Sequence, residues 1–273
     1  MLSTAGIDLA VERLLQRDRQ VVLAGLVLIT IIAWAYLYYL DVQMDMGPMG
    51  TVGSGATAIP MSDMVKLAPW TSADALFMFL MWAIMMMGMM IPSVTPMVLL
   101  YARVVRHNAK EVATFVPTGA FFVGYLFIWI GFSAVATGLQ WGLEQTALLS
   151  PMMVSTSSVF AGIVLIATAV YQWTPYKDAC LARCRSPVWF LSTYWRNGAG
   201  GAFRMGLSHG SYCLGCCWSL MLLLFVGGVM NLLCVAAITV FVLIEKVAPG
   251  GRAIGRVGSV LLGLTGVALL VAN

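Results

Sequence analysis

Unbroken apolar stretches dominate the chain, in place of the one-sided stripe of a soluble helix or the alternation of a half-buried strand. Stretches at 21–40, 75–100, 117–139, 152–173, 205–229, 231–246 and 257–272 each predict a helix crossing a hydrocarbon layer. Such a layer is about 30 Å thick and takes about 20 residues at 1.5 Å each. The pattern therefore predicts an all-α, polytopic transmembrane bundle of seven spans, one membrane domain over 1–273. The first span ends in Trp34, Tyr36, Tyr38 and Tyr39 with no small-residue cleavage pattern after it, so it reads as a retained anchor and not a signal peptide. The fifth and sixth spans are joined by very few residues, and the sixth barely reaches across.

Basic residues orient this arrangement, because short cytoplasmic loops collect Lys and Arg. With the N-terminus inside, the inner segments hold Arg13, Arg17, Arg19, Arg103, Arg106, Lys110, Lys177, Arg183, Arg185, Arg196, Arg204, Lys246, Arg252 and Arg256, while Lys66 alone lies outside. Seven spans place the C-terminus outside. Composition agrees: 61% of the 273 residues are hydrophobic and 10% charged, with mean hydropathy +0.92, far from the quarter or so of charged residues in soluble domains. A net charge of +4, thinly scattered, excludes a nucleic-acid partner and leaves the lipid bilayer as the first partner. The reading is a multi-pass membrane protein.

Two connections are long. The outer loop 41–74 is rich in Gly and Met and carries Asp41, Met44, Asp45, Met46, Met49, Met61, Asp63 and Met64. These resemble methionine and carboxylate sets that capture copper outside the cytoplasm; a plain linker is the alternative. The inner segment 176–204 mixes Lys and Arg with Trp189, Phe190, Tyr194 and Trp195, which predicts an amphipathic helix in the headgroup layer.

Sulfur marks the candidate chemistry. Cys213, Cys216 and Cys217 sit within the fifth span, one turn after His209. Helical spacing turns His209, Cys213 and either Cys216 or Cys217 to one side. One imidazole and two ionised thiols suit a soft or borderline ion, Cu(I) first and Zn(II) second. The competing reading is that small residues here allow close helix packing. Cys180 and Cys184, with Lys177, Arg183 and Arg185 nearby, form a second pair at spacing i, i+4: an exchange site with reactive thiols, or an inert reduced pair. Glu245 and Lys246 close the sixth span, as an interface anchor or a buried acid–base pair.

The second span contains Met81, Met85, Met86, Met87, Met89 and Met90, then Pro92 and Pro96. Met81, Met85 and Met89 share one stripe. Thioethers hold Cu(I) without the desolvation cost of a carboxylate, although methionine is also a good core filler. From their inner ends, Met89 and Met90 come about 17 Å deep and Cys213 to Cys217 about 12 to 18 Å deep. If the second and fifth spans are neighbours, thioether meets thiolate at that level. Pro92 and Pro96 would bend or interrupt the helix there and free carbonyls.

Several runs resemble the hallmark segments of a bacterial family of predicted metal-binding integral membrane proteins, often labelled copper chaperone. They are YQWTPYKDACLARCRSP from Tyr171, GLSHGSYCLGCCWSLM from Gly206, GVMNLL from Gly228 and the Glu245, Lys246 pair, with Met81 to Pro96 fitting the family's first block. The likeness covers most of the chain beyond residue 75. It implies a metal role for Cys213, Cys216 and Cys217, and motif positions of unstated role at Lys177, Cys180 and Cys184. His209 as a ligand rests on helix geometry alone.

Three functions are compatible with these residues. The first is a non-enzymatic copper handler, holding Cu(I) on Cys213, Cys216, Cys217 and Met85, Met89 or Met90, serving a membrane metalloenzyme or a periplasmic copper carrier. The second is a membrane thiol redox enzyme coupled to quinone, disfavoured because the outer loop has no cysteine. The third is a structural subunit of a membrane complex.

Overall fold

The computed structural model describes residues 4–46, 70–108, 115–146, 148–149 and 155–272. Its regular elements are all helices: α1 (Thr4–Met46), α2 (Ser72–Asn108), α3 (Phe115–Gln145), α4 (Ser158–Gln172), α5 (Pro175–Arg185), α6 (Pro187–Tyr194), α7 (Gly198–Leu222), α8 (Leu224–Gly227), α9 (Leu232–Val247) and α10 (Gly251–Val271).

Among the described residues, five segments are long and apolar enough to cross a bilayer: Gln20–Val42, Ser72–Arg106, Val116–Gln145, Gly198–Gly227 and Gly251–Val271. They coincide with five of the expected seven. The stretches at 152–173 and 231–246 become α4, of 15 residues, and α9, of 16. At 1.5 Å per residue these are only about 22 and 24 Å long. α4 and α5 qualify only as a pair bent by 64°, a broken span or a re-entrant loop.

Local chemistry explains the breaks. Thr174 precedes Pro175, which disfavours helical backbone at Thr174; its φ is −73° and ψ 144°, and its hydroxyl accepts from the Lys177 N–H as an N-cap. Pro187 likewise opens α6, there without a side-chain cap from Ser186. The segment 176–204 is thus divided among α5, α6 and the first turns of α7. At the reversal into α9, Gly228 takes φ 95°, a conformation that favours glycine, and Asn231 caps α9 through the Cys234 N–H.

α2 runs unbroken through Pro92 and Pro96. Pro92 leaves the Gly88 carbonyl without its ladder partner, and Trp34 of α1 donates its indole N–H there at 3.2 Å. α3 lies against both α2 and α7, and α9 also touches both; α2 and α7 share no comparable packing of their own. The α3–α7 approach depends on absent side chains. A Cβ at Gly206 would run into the Phe121 carbonyl, and one at Gly210 would lie 2.9 Å from Ile128 Cγ1. That approach sets Tyr125 beside the middle of α7.

Candidate functional site

Cys213, Cys216 and Cys217 project from α7 into the core and are fully buried. The thiols of Cys216 and Cys217 both donate to the Cys213 carbonyl, at 3.1 and 3.0 Å, so spacings of three and four residues turn them to the same spot. Tyr125 of α3 brings its hydroxyl to 3.1 Å from Cys213 Sγ.

Lys246, in the last turn of α9, reaches the same sulfur. Its Nζ is 2.9 Å from Cys213 Sγ, 3.4 Å from Ser93 Oγ of α2 and 3.9 Å from Cys217 Sγ. Helix register accounts for the meeting. Gly227 back to Cys213 is 14 residues and Asn231 on to Lys246 is 15, so both lie about 21 to 23 Å from the reversal.

α5 contributes from the other side. Cys184 Sγ stands 4.0 Å from Cys216 Sγ. Cys180 lies over Gly215, where an added Cβ would sit 2.8 Å from its sulfur. Tyr171 donates its hydroxyl to the Gly215 carbonyl at 2.5 Å. The pair expected at the membrane surface therefore packs against the middle of α7, with both cysteines half-buried.

Glu245 and Lys246 are neighbours in sequence but face different partners. Glu245 pairs with Lys177, which also donates to Gln172, and both charges are 2% exposed. Arg185 donates to the carbonyls of Glu245 at 2.5 Å and Ala248 at 2.7 Å, closing the C-terminal end of α9. The result is two adjoining buried centres. One is a carboxylate between Lys177 and the start of α10; the other is an ammonium among thiols and hydroxyls.

His209 is buried one turn before Cys213, as expected, but aromatic rings surround it. Ring centroids lie 5.1 Å from Phe190, 6.0 Å from Tyr125 and 6.1 Å from Phe121, and Nδ1 has no hydrogen-bond partner. Met85, Met89 and Met90 are fully buried on α2. Their contact with the cysteines runs through the Met90 carbonyl, which accepts from Tyr125 at 3.4 Å. Met85, Met89 and Met90 belong to the same buried core as Cys213, Cys216 and Cys217. The side chains of Met44 and Met46, and all of Met49, lie outside the described residues.

Among the described residues, no three His, Cys, Asp or Glu side chains are gathered tightly enough to enclose a metal ion. The cluster is an open set of thiols around an ammonium. A buried ammonium needs a counter-charge, and the acceptors that reach Lys246 are two sulfurs and a serine hydroxyl. An ion pair with a Cys213 thiolate satisfies both groups, and a thiolate is the form that binds soft metals.

Tyr125, Ser93 and the Lys246 amine are the participants that spacing along the chain did not reveal. A tyrosine in the middle of an apolar span was the available signal, since a buried phenol needs a hydrogen-bond partner. A family model described as PpoB2, copper chaperone, matches residues 79–269. No curated protein and no solved structure matches the chain.

Proposed function

Since the chain belongs to the PpoB2 copper chaperone family, we propose that it handles copper as a membrane protein, taking Cu(I) at the buried thiols of Cys213, Cys216 and Cys217. Cys184 closes the site from α5. Lys246 holds the empty site as an ion pair and yields its place to the metal, with Ser93 as its alternative partner. The observation carrying this reading is the 2.9 Å contact of Lys246 Nζ with Cys213 Sγ inside a cluster of buried thiols. Cu(I) is soft and suits thiolate ligands, whereas Zn(II) prefers a closed tetrahedral set. His209 serves as a reserve ligand, and Met85, Met89 and Met90 as a soft lining.

The topology proposed with it has seven crossings of a bacterial inner membrane, N-terminus inside and C-terminus outside, with α4 and α9 as short spans. No chemical conversion is required of the site. Its cargo passes to a membrane metalloenzyme or comes from a periplasmic copper carrier.

The 4.0 Å approach of Cys184 and Cys216 favours one second reading, a thiol redox pair. Metal analysis of the purified full chain loaded with Cu(I) under reducing conditions separates the two. The Cys213→Ser, Cys216→Ser, Cys217→Ser variant should lose bound copper. Equal copper in both preparations would refute the copper site, and a metal-free loss of two protons on oxidation would favour the redox pair.

A further inference from the structure

Another buried polar centre lies near the C-terminal end of α3, far from the cysteines. Glu144 is 8% exposed, and its carboxylate accepts from two neutral donors: Trp70 Nε1 at 2.8 Å and Gln140 Nε2 at 2.9 Å. Among the described residues no cation lies within ion-pair distance of it. The same Gln140 nitrogen points at Met78 Sδ, 3.6 Å away, and the Gln140 oxygen accepts from Trp82 Nε1 at 2.7 Å. A carboxylate oxygen and a thioether sulfur therefore flank one amide nitrogen, in a setting closed by two indoles.

A carboxylate buried at the end of an apolar span is costly to desolvate and by default functional. Its surroundings identify what it accepts. A hard divalent cation selects a cage of oxygens, which one carboxylate does not supply; the thioether selects a soft ion, and the single carboxylate balances a single charge. From Met78, the side chains of Met81, Met85 and Met89 follow at steps of three and four residues and are fully buried. They cover about 16 Å of α2 and end beside Met90, whose carbonyl accepts from the tyrosine that touches Cys213.

We infer that Glu144, Gln140 and Met78 form a second cation site, which takes Cu(I) at the end of the methionine stripe remote from the cysteines and feeds it along that stripe. The inference rests on the copper reading of the cysteine cluster. Binding requires the Gln140 amide to swing aside so that one Glu144 oxygen and Met78 Sδ face the ion. Charge is conserved: one carboxylate neutralises one monovalent cation, with no change of oxidation state.

Ag(I), a redox-inert soft monovalent ion, tests this on the full chain in lipid nanodiscs, by stoichiometry and competition with a chelator. The parent should bind two ions per chain. The Cys213→Ser, Cys216→Ser, Cys217→Ser variant should keep one, and adding Glu144→Gln and Met78→Leu should remove it. Glu144→Gln preserves an acceptor for Trp70, and Met78→Leu alone keeps volume, so each is also measured singly, with a weakening of about tenfold or more expected in the triple-serine background. Retention of the ion with unchanged affinity in both single variants would overturn the inference, as would loss of all binding in the triple-serine protein. Undiminished binding in the triple-serine protein, with loss on Glu144→Gln, would instead refute the cysteine site and leave this one standing.

Discussion

Trp34→Phe isolates one hydrogen bond that the α2 sequence makes necessary. Pro92 has no N–H, so the Gly88 carbonyl has no partner within its own helix, and the Trp34 indole supplies one at 3.2 Å. Gly88 also admits α1: a Cβ there would lie 3.2 Å from Ala33 Cβ and 3.6 Å from the indole nitrogen itself. Removing the donor leaves a carbonyl unsatisfied where lipid offers no substitute, a cost of about 1–3 kcal/mol. The smaller ring adds a loss of under about 1 kcal/mol of buried area. In a Pro92→Ala background the restored N–H can satisfy Gly88, so Trp34→Phe should then cost the area term alone. The four proteins of this cycle, unfolded reversibly in mixed detergent with far-UV circular dichroism as readout, should give a coupling of about 1–3 kcal/mol. Equal costs of Trp34→Phe in both backgrounds would refute the assignment of the indole to the proline-orphaned carbonyl.

Two further outcomes follow from named contacts. Lys177→Met leaves the Glu245 carboxylate buried without its cation and should destabilise by about 3–5 kcal/mol, while adding Glu245→Gln should recover most of the loss; the same unfolding assay reads both, and an additive double variant would deny the pair. Gly206→Ala drives a methyl into the Phe121 carbonyl and should cost about 1–3 kcal/mol by separating α3 from α7, seen as a lowered melting temperature and, because Tyr125 moves with α3, as weaker copper retention.

The long apolar helices were legible in the sequence because a helix apolar on every side reads as an uninterrupted hydrophobic stretch, and α1, α2, α3, α7 and α10 fall where that signal is strongest. The short ones were less so. In the stretch at 152–173 the start of α4 is set by a hydrogen bond and not by hydropathy, Ser157 accepting from the Phe160 N–H as its N-cap, and hydropathy does not give the 16-residue length of α9. Cys213 and either Cys216 or Cys217 were visible on one face because their spacing is local. Their partners were not, because Tyr125, Lys246 and Cys184 come from three other helices, and only the packing of those helices fixes which one each thiol meets. The depth argument put Met89 and Met90 level with the thiols; from α2, the Met90 carbonyl and Ser93 bond the tyrosine and the lysine that touch Cys213.

The shortness of α9 is what places a charge among the thiols. A helix that ends inside a bundle must have its last carbonyls satisfied by protein, and Arg185 does this at Glu245 and Ala248, ahead of Pro249 and Gly250. With the upper end fixed by Gly228 and the lower end by Arg185, the residue count between them sets the height of Lys246, and one residue more or fewer would shift it by about 1.5 Å and turn it by about 100°. One residue more would bring the carboxylate toward the thiols and carry the ammonium past them, and one fewer would bring the ammonium toward Lys177 and carry the carboxylate away, a like-charge contact in either case once a thiolate is present. The pairing of Lys177 with Glu245 and of Lys246 with Cys213 is therefore a single register condition, and the two buried charge centres stand or fall together.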